Sequence, residues 1–465
     1  MEERLQFSPR DENGESGFAI LWALVVIAVV LIGGAVVIKV TFDSNQRAKK
    51  HALKRRCWWL AETGVNRYLN ELNATENSPV NLLDSAITDS ISENETITRT
   101  LYPWADVLLI VSTGKVGVVA ETVSTIIGQR SDLPDSVLIR TRNPNYPLVL
   151  AGATSSPTTA EGTVGLPVKV VSLGGKPTAG LFEGRGPSQT VVDEWLYDDL
   201  TAPDFNLWSA RYELSQARTN MQSLPPTHLS NQRFVETDLS DIMIGDYLYI
   251  KGDLELMNCR YKGSDSPKIV YVEGHLRISG NTRLAGLLKL YATETISVDD
   301  SSVLDGVALV SDSALSFGGD SKCRAHVLSG YTISINEQAT LLVRSTVTAF
   351  IDTSSGRALP IHSILVESKA PVTATVASFS DTAITLSDIP RIKIDTGTRF
   401  TGIVTSNHAL EVYSDVSAQF DIGGFWYKTR TSTYINWLIN RRIRRRLEPS
   451  DLGVVSQENT YVRRQ

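Results

Sequence analysis

Phe18 to Ile38 is a run of 21 residues with no charge and no proline. As a helix rising about 1.5 Å per residue it is roughly 30 Å long, the hydrocarbon thickness of a bilayer. A stretch this apolar is buried in a core, cut away as a secretory signal, or placed in lipid. The apolar part of a signal is shorter, and Lys39 to Asp43, which follow, contain no small-residue cleavage pattern. The reading is a membrane span over 18–40, behind a short polar leader over 1–17.

The helical pattern continues past the span. Leu53, Cys57, Ala61, Val65, Tyr68 and Leu72 recur at spacings of four and three and form one apolar stripe. Lys49, Lys50, Lys54, Arg55 and Arg56 occupy the opposite side. Residues 41–73 are therefore expected as an amphipathic continuation, lying against a folded body or a neighbouring copy. Within 74–130, a polar loop over 75–98 precedes two apolar runs, 107–111 and 116–127. These flank Ser112-Thr-Gly-Lys115, which reads as the turn of a β-hairpin.

The Gly17-Phe18 junction, the long apolar helix, CWWLAETGVNRYLNEL (57–72) and LLIVSTGKVGVVAETVSTII (108–127) together resemble type IV pilin-like proteins, in particular the PilX-like minor pilins and pseudopilins. The resemblance covers about the first 130 residues. It implies cleavage between Gly17 and Phe18 by a prepilin peptidase, methylation of the new N-terminus, and packing of the helix among other pilin-like subunits. It implies a body outside the cytoplasmic membrane, in the periplasm or on a surface filament. Two features depart from the family. The fifth residue after the junction is Trp22, where most major pilins carry glutamate, which fits a tip or initiating subunit better than a bulk one. Basic residues also follow the span: Lys39, Arg47, Lys49, Lys50, Lys54, Arg55 and Arg56 against Arg4 and Arg10 before it. Taken alone, that bias places the body in the cytoplasm.

Residues 131–235 are rich in Gly, Pro, Ser and Thr with short apolar runs and read as irregular β-structure plus one helix. The helix, over 203–222, carries Leu207, Ala210, Leu214, Ala217 and Met221 on one face and is stopped by Pro225-Pro226. Over 236–427 the pattern changes. Leu276/Ile278, Ile296/Val298, Leu315/Phe317 and Ile333/Ile335 are apolar-x-apolar pairs 20, 19 and 18 residues apart, each near a turn-forming set, and Leu410/Val412 repeats the form. A period near 19 fits a parallel β-helix, with an antiparallel sandwich as the alternative. The 203–222 helix and the C-terminal segment are expected to cover its open ends. The fold class is thus α+β, mostly β: a long N-terminal helix, a small pilin-like hairpin region, then a β-helix-like domain.

The net charge of −6 is uneven, because 428–465 carries nine Lys/Arg against three Asp/Glu. Arg441, Arg442, Arg444, Arg445 and Arg446 read either as a solvated cap or as a contact for anionic lipid, an acidic protein or a surface polysaccharide. An acidic remainder argues against a nucleic-acid-binding body. Cys259 and Cys323 are 64 residues apart and read either as one disulfide or as two buried thiols. No P-loop, GxSxG, HExxH or dinucleotide fingerprint is present, the six histidines stand singly, and no cofactor or metal is implied. His275, His326 and His408 are expected at turns or on the surface. Asp299, Asp300, Asp305 and Asp320 recur near rung corners; they read as turn formers, with catalytic carboxylates or a Ca²⁺ site as the alternative. The functional expectation is a non-enzymatic, membrane-anchored structural subunit that displays a β-rich domain for assembly or adhesion. The alternatives are a bactofilin-like polymerising scaffold and a surface polysaccharide-active enzyme.

Overall fold

The computed structural model describes residues 13–74, 83, 86–129, 204–243, 245–263, 266–380, 390–414 and 416–425. It also describes short strands at 137–141, 149–151, 163–165, 171–173, 427–428, 433–434, 437–439 and 461–464. Helix α1 runs Asn13–Ala74, 62 residues, about 93 Å end to end. It begins ahead of Gly17, so the segment expected as a separate leader already enters the helix at Asn13. With no proline between Asn13 and Ala74, nothing interrupts the hydrogen-bond ladder.

The second half of α1 lies on an antiparallel sheet. Strands β1 (Ile87–Ser92), β2 (Glu95–Trp104), β3 (Val107–Val116) and β4 (Val119–Gln129) pair in sequence order. The C-terminal strand Tyr461–Arg464 adds itself to the free edge of β4. The hairpin expected between β3 and β4 is present, but its turn is Gly117-Val118, with Gly117 at φ +59°. Ser112 to Lys115 stay inside β3. They resemble a turn because Gly114 is the point where the helix crosses: a Cβ there would stand 2.1 Å from the Cys57 carbonyl oxygen. Gly64 on the helix makes the reciprocal approach, where a Cβ would stand 2.2 Å from Ser112 Oγ. Cys57, Ala61, Val65, Tyr68 and Leu72 are buried against the sheet, joined by Leu60; Leu53, at 39% exposure, lies beyond its edge.

From Gln232 the chain forms a parallel β-solenoid of about eight turns in the C-terminal region. Each turn has three faces. Face A begins with Gln232–Val235, Leu254–Met257 and Leu276–Ser279; face C with Arg260–Lys262 and Arg283–Ala285; face B with Tyr247–Ile250, Lys268–Val272 and Leu288–Ala292. Later strands, such as Val303–Ser311 and Thr340–Ile351, run from face C round into face B. On face A the expected apolar pairs stack in register: Leu276 on Ile296, Ile296 on Leu315 and Leu315 on Ile333. Ile364/Val366 and Ile392/Ile394 carry the column on to Leu410/Val412. These residues and the inward residues of face B, from Leu248 to Val404, make one core running the length of the coil.

The corner from face A to face C is left-handed in nearly every turn, at Glu236, Asn258, Gly280, Asp300, Gly319, Glu337 and Gly397. Gly, Asn and Asp accept that conformation most readily, which explains the turn-forming sets beside each pair. The first turn is closed by a short helix, α3 (Leu239–Ile242), whose Leu239 enters the core. At the far end lie strands expected as irregular. Val137–Thr141 pairs with Val416–Phe425, and Thr163–Gly165 pairs on Val137–Thr141. Val149–Ala151 pairs with Trp437–Ile439, and Val171–Leu173 follows it. Part of 131–235 thus supplies rungs that protect the edge the C-terminal turns would otherwise leave open.

Helix α2 (Asp204–Ser223) ends just before the two prolines. It lies along the outside of face B rather than over an end of the coil. Ala210, Ala217 and Met221 pack on Tyr249, Tyr271 and Tyr291, and Trp104, Ala105 and Val107 of the β2–β3 hairpin complete this second core. The sheet that seats α1 and the solenoid therefore share one apolar interface.

Candidate functional site

Two environments meet on α1. From Ile20 to Phe42 every side chain is exposed, with Trp22 at 56%, Val26 at 54% and Val30 at 66%. Twenty-three residues of exposed, mostly aliphatic helix have no stable place in water; lipid or other apolar helices satisfy them. Gly17 and Phe18, the expected processing pair, stand in the first turns of the same helix. Beyond the span the basic side is partly anchored. Lys54 Nζ lies 2.9 Å from Glu121, and Arg56 forms a two-pronged pair with Glu95 at 3.0 Å. Beside them an open groove of about 830 Å³ is lined by Ala48, His51, Ala52, Trp58, Trp59 and Glu121. Trp58 and Trp59 meet edge to face at 5.2 Å and remain half-exposed.

The β2–β3 hairpin and α2 are fastened to the solenoid by three polar clusters that sequence spacing does not reveal. Lys289, on face B, is buried and donates to Glu213 of α2 at 2.8 Å and to the Pro103 carbonyl at 3.0 Å; its ammonium sits 5.9 Å over the Trp104 ring. Glu213 is fully buried and Lys289 nearly so, so this ion pair has left water almost entirely. At the hairpin tip Ala105 takes φ +57° and turns Asp106 into the solenoid, where its carboxylate accepts hydrogen bonds from Thr346 and Thr348. His326 Nδ1 lies 3.0 Å from Thr346 Oγ1. His326 is therefore buried beneath the hairpin and not at a turn or on the surface, because the outer side of face B is covered. Third, Tyr291 donates to Asp312 at 2.7 Å and Arg218 of α2 donates to the same oxygen at 2.7 Å. Burial pushes the Asp312 carboxyl above the ordinary aspartate value, with Tyr291 and Arg218 pulling it back.

The carboxylates of Asp300, Asp305 and Glu337 are engaged by the coil itself. Asp300 accepts the Gly280 N–H at 2.8 Å, Glu337 accepts the Gly319 N–H at 2.5 Å, and the Asp299 carbonyl accepts from Ser302. Asp305 pairs with Arg324 one rung away, and Asp320 is an exposed corner residue. Burial raises the Asp299 carboxyl, Arg277 lowers it, and Asp300 and Glu337 add to the rise. Among the described residues no group of three His, Cys, Asp or Glu has metal-holding geometry. His275 occupies a corner, its Nδ1 2.8 Å from Thr295 Oγ1; the His408 side chain lies outside the described residues.

Cys259 and Cys323 are buried free thiols, which corrects the disulfide alternative. Following the rungs from Arg260 to Arg283, Val303 and Lys322 puts the two cysteines three steps apart. That is about 14 Å along the coil at roughly 4.8 Å per rung, well outside disulfide reach. Burial pushes the Cys323 thiol up to about 12. Arg441, Arg442, Arg444, Arg445 and Arg446 lie outside the described residues.

Asp106, Glu213 and Lys289 were not foreseeable from spacing, since each meets its partner across a register that only the folded coil defines. A lone lysine within the apolar run Leu287–Tyr291 is the one local signal that a partner awaits it. Comparison with known proteins yields no matching family model, no matching curated protein and no matching solved structure.

Proposed function

We propose that this chain is a membrane-anchored, non-enzymatic structural subunit of the minor pilin or pseudopilin kind, displaying its β-solenoid outside the cytoplasmic membrane. The observation that carries the reading is the two-environment helix: α1 is bare and apolar over Ile20–Phe42, then seated on an antiparallel sheet over Cys57–Leu72. Such a helix holds the subunit in lipid before assembly and exchanges lipid for neighbouring helices afterwards, with its apolar surface covered throughout. The half-exposed Trp58 and Trp59 stand about 25 Å beyond Phe42 along the helix, too far to be covered by the same lipid. A neighbouring subunit is the natural cover. The basic flank from Lys39 to Arg56 favours the opposite orientation and with it a cytoplasm-facing scaffold that stacks end to end. End-to-end stacking needs open rungs, and α3 with the buried Leu239 closes the first one.

Mass spectrometry of the purified protein tests the reading. A chain that begins at N-methylated Phe18 is expected; an intact Met1 in cells with an active prepilin peptidase would overturn it.

A further inference from the structure

The solenoid's register gathers cations that the sequence scatters. On the outer side of face C, Arg260 pairs with Arg283, Arg283 with Val303, and Val303 with Lys322. Lys322 then pairs with Thr340, and Pro371 with Arg399. Thr340 and Pro371 are themselves neighbours, since Leu341 pairs with Val372. One column thus carries Arg260, Arg283, Lys322 and Arg399 over six rung steps, about 29 Å. Lys262 flanks it in the next column. All five side chains are exposed, and among the described residues none has a carboxylate partner. Three acids lie close to the row: Asp305, in the next column, is taken by Arg324; Asp238, the rung partner of Arg260, caps α3 through the Ser240 N–H; and Asp320 is an exposed corner residue two positions before Lys322.

On face A the same lattice gives its cations carboxylate partners. There Arg233 pairs with Glu255 on the next rung, Arg277 faces Asp299, and Lys393 lies between Glu367 and Asp395. On face C, Arg260 and Arg283 are adjacent like charges, an arrangement that costs stability in a sheet. A protein of net charge −6 carries this row uncompensated. The charge complement of the row is a linear anion lying along the solenoid axis.

The spacing decides which. Duplex DNA carries a charge about every 1.7 Å, several phosphates for each cation of this row. Neither outward column has an aromatic residue on which a base could stack, and the one helix beside the face among the described residues, α3, is a single four-residue turn, too short to enter a groove. A polysaccharide with at most one carboxylate per sugar is sparse enough, and Thr340 between the cations suits its hydroxyls. We propose that face C is a docking track for a linear, uronate-bearing polysaccharide, its carboxylates meeting Arg260, Arg283, Lys322 and Arg399 in turn. This rests on the reading of the solenoid as displayed outside the cytoplasm.

Full-length protein in detergent micelles is tested for binding to polygalacturonate, with dextran as the uncharged polymer and duplex DNA as the dense polyanion. Wild-type protein is expected to prefer polygalacturonate over both, with affinity falling as salt rises. Arg283→Glu with Lys322→Glu should weaken binding by about tenfold or more. Arg233→Glu with Arg277→Glu, the same charge change on face A, should leave it within about twofold, and Arg283→Lys with Lys322→Arg should retain it. Failure of the wild type to bind, equal loss from the face A and face C variants, or tighter binding of DNA through the same residues would each overturn the proposal. The N-terminal mass is read separately: binding with an intact Met1 leaves the track standing and sinks the subunit reading, and a mature Phe18 without binding does the reverse.

Discussion

Lys289 is the residue whose removal tests the seating of α2 on the solenoid most directly. Its ammonium and the Glu213 carboxylate are 2.8 Å apart, one almost and the other completely buried. Lys289→Met keeps the length of the side chain but takes the ammonium away from the buried Glu213 carboxylate, and breaking a buried pair from one side costs about 3–5 kcal/mol. Glu213→Leu strands the ammonium instead, with the Pro103 carbonyl and the Trp104 face as its only relief. The double variant removes both charges and should return to within about 1–2 kcal/mol of the parent, since a buried pair replaced by apolar side chains is close to neutral. What it still lacks is the hydrogen bond to Pro103, about 1 kcal/mol. The assay is hydrogen exchange of the peptide covering α2, which reads opening of that helix from face B separately from unfolding of the coil. At about 1.4 kcal/mol per factor of ten, each single variant should exchange faster by about two orders of magnitude or more, and the double variant by about tenfold. If the two single effects simply add in the double variant, the pair is not coupled and the geometry described for this interface is wrong.

Three further outcomes are expected. Val26→Asp or Val30→Asp puts a carboxylate in the middle of the span at about 3 kcal/mol and should shift the protein from the membrane fraction towards aggregates or degradation; unchanged partitioning would exclude a lipid-embedded helix. Native protein should lose no mass difference on reduction, and Cys323 should resist alkylation until the chain is denatured; rapid labelling in the folded state would contradict its burial. Burial alone would raise the Glu411 carboxyl, but hydrogen bonding from His362 and the charge of Arg391 at 2.9 Å outweigh it and hold the group below its ordinary value of 4.5. The stability it contributes is therefore present above about pH 4.5 and lost as pH falls through the lower folded value, so the melting temperature of Glu411→Gln should fall less than that of the wild type between about pH 5 and 3.

The features legible in the sequence are those that repeat along the chain. The uncharged run at 18–38 and the stripe from Cys57 to Leu72 follow from helical geometry, and the apolar pairs from Leu276 to Ile335 follow from one rung per 18 to 20 residues. The column was lost after Ile333 because the next steps, to Ile364 and then Ile392, are 31 and 28 residues long. The outer corners of those turns carry extra chain, including the short 3₁₀ turn Thr353–Ser355, and inserted residues erase a period without disturbing the core. The rungs at 137–173 were hidden for a different reason. Three-residue strands at the end of a coil are held by the rung beneath them, so they need little apolar pattern of their own. Ser112 to Lys115 looked like a turn because the composition of a strand pressed by a helix is that of a loop. Lateral meetings, such as Asp106 with Thr346 or Arg283 with Arg260, depend on register between turns of unequal length, and no window along the chain displays them.

The path of the chain explains why these lateral contacts matter to how α1 is held. After β4 the chain goes to the far end of the coil and adds rungs there. It returns along face B as α2, enters the near end at Gln232, and winds up the solenoid until Trp437–Ile439 meets the rung at Val149. Its last strand, Tyr461–Arg464, then comes back to β4. The sheet that seats α1 is thus bonded to the chain entering the coil and to the chain leaving it, and is sealed to the coil's flank by Asp106, Lys289 and the tyrosines of face B. A sheet joined to the solenoid by a single linker would let the solenoid swing freely on α1. Joined in this way, a load applied to α1 would pass through the close contacts at Gly114 and Gly64 into β3 and from there into stacked parallel rungs, where separating one turn from the next breaks many backbone hydrogen bonds at once. Loosening the flank at Lys289 or Asp106 should therefore leave both the anchor and the coil folded and change how they are held relative to each other.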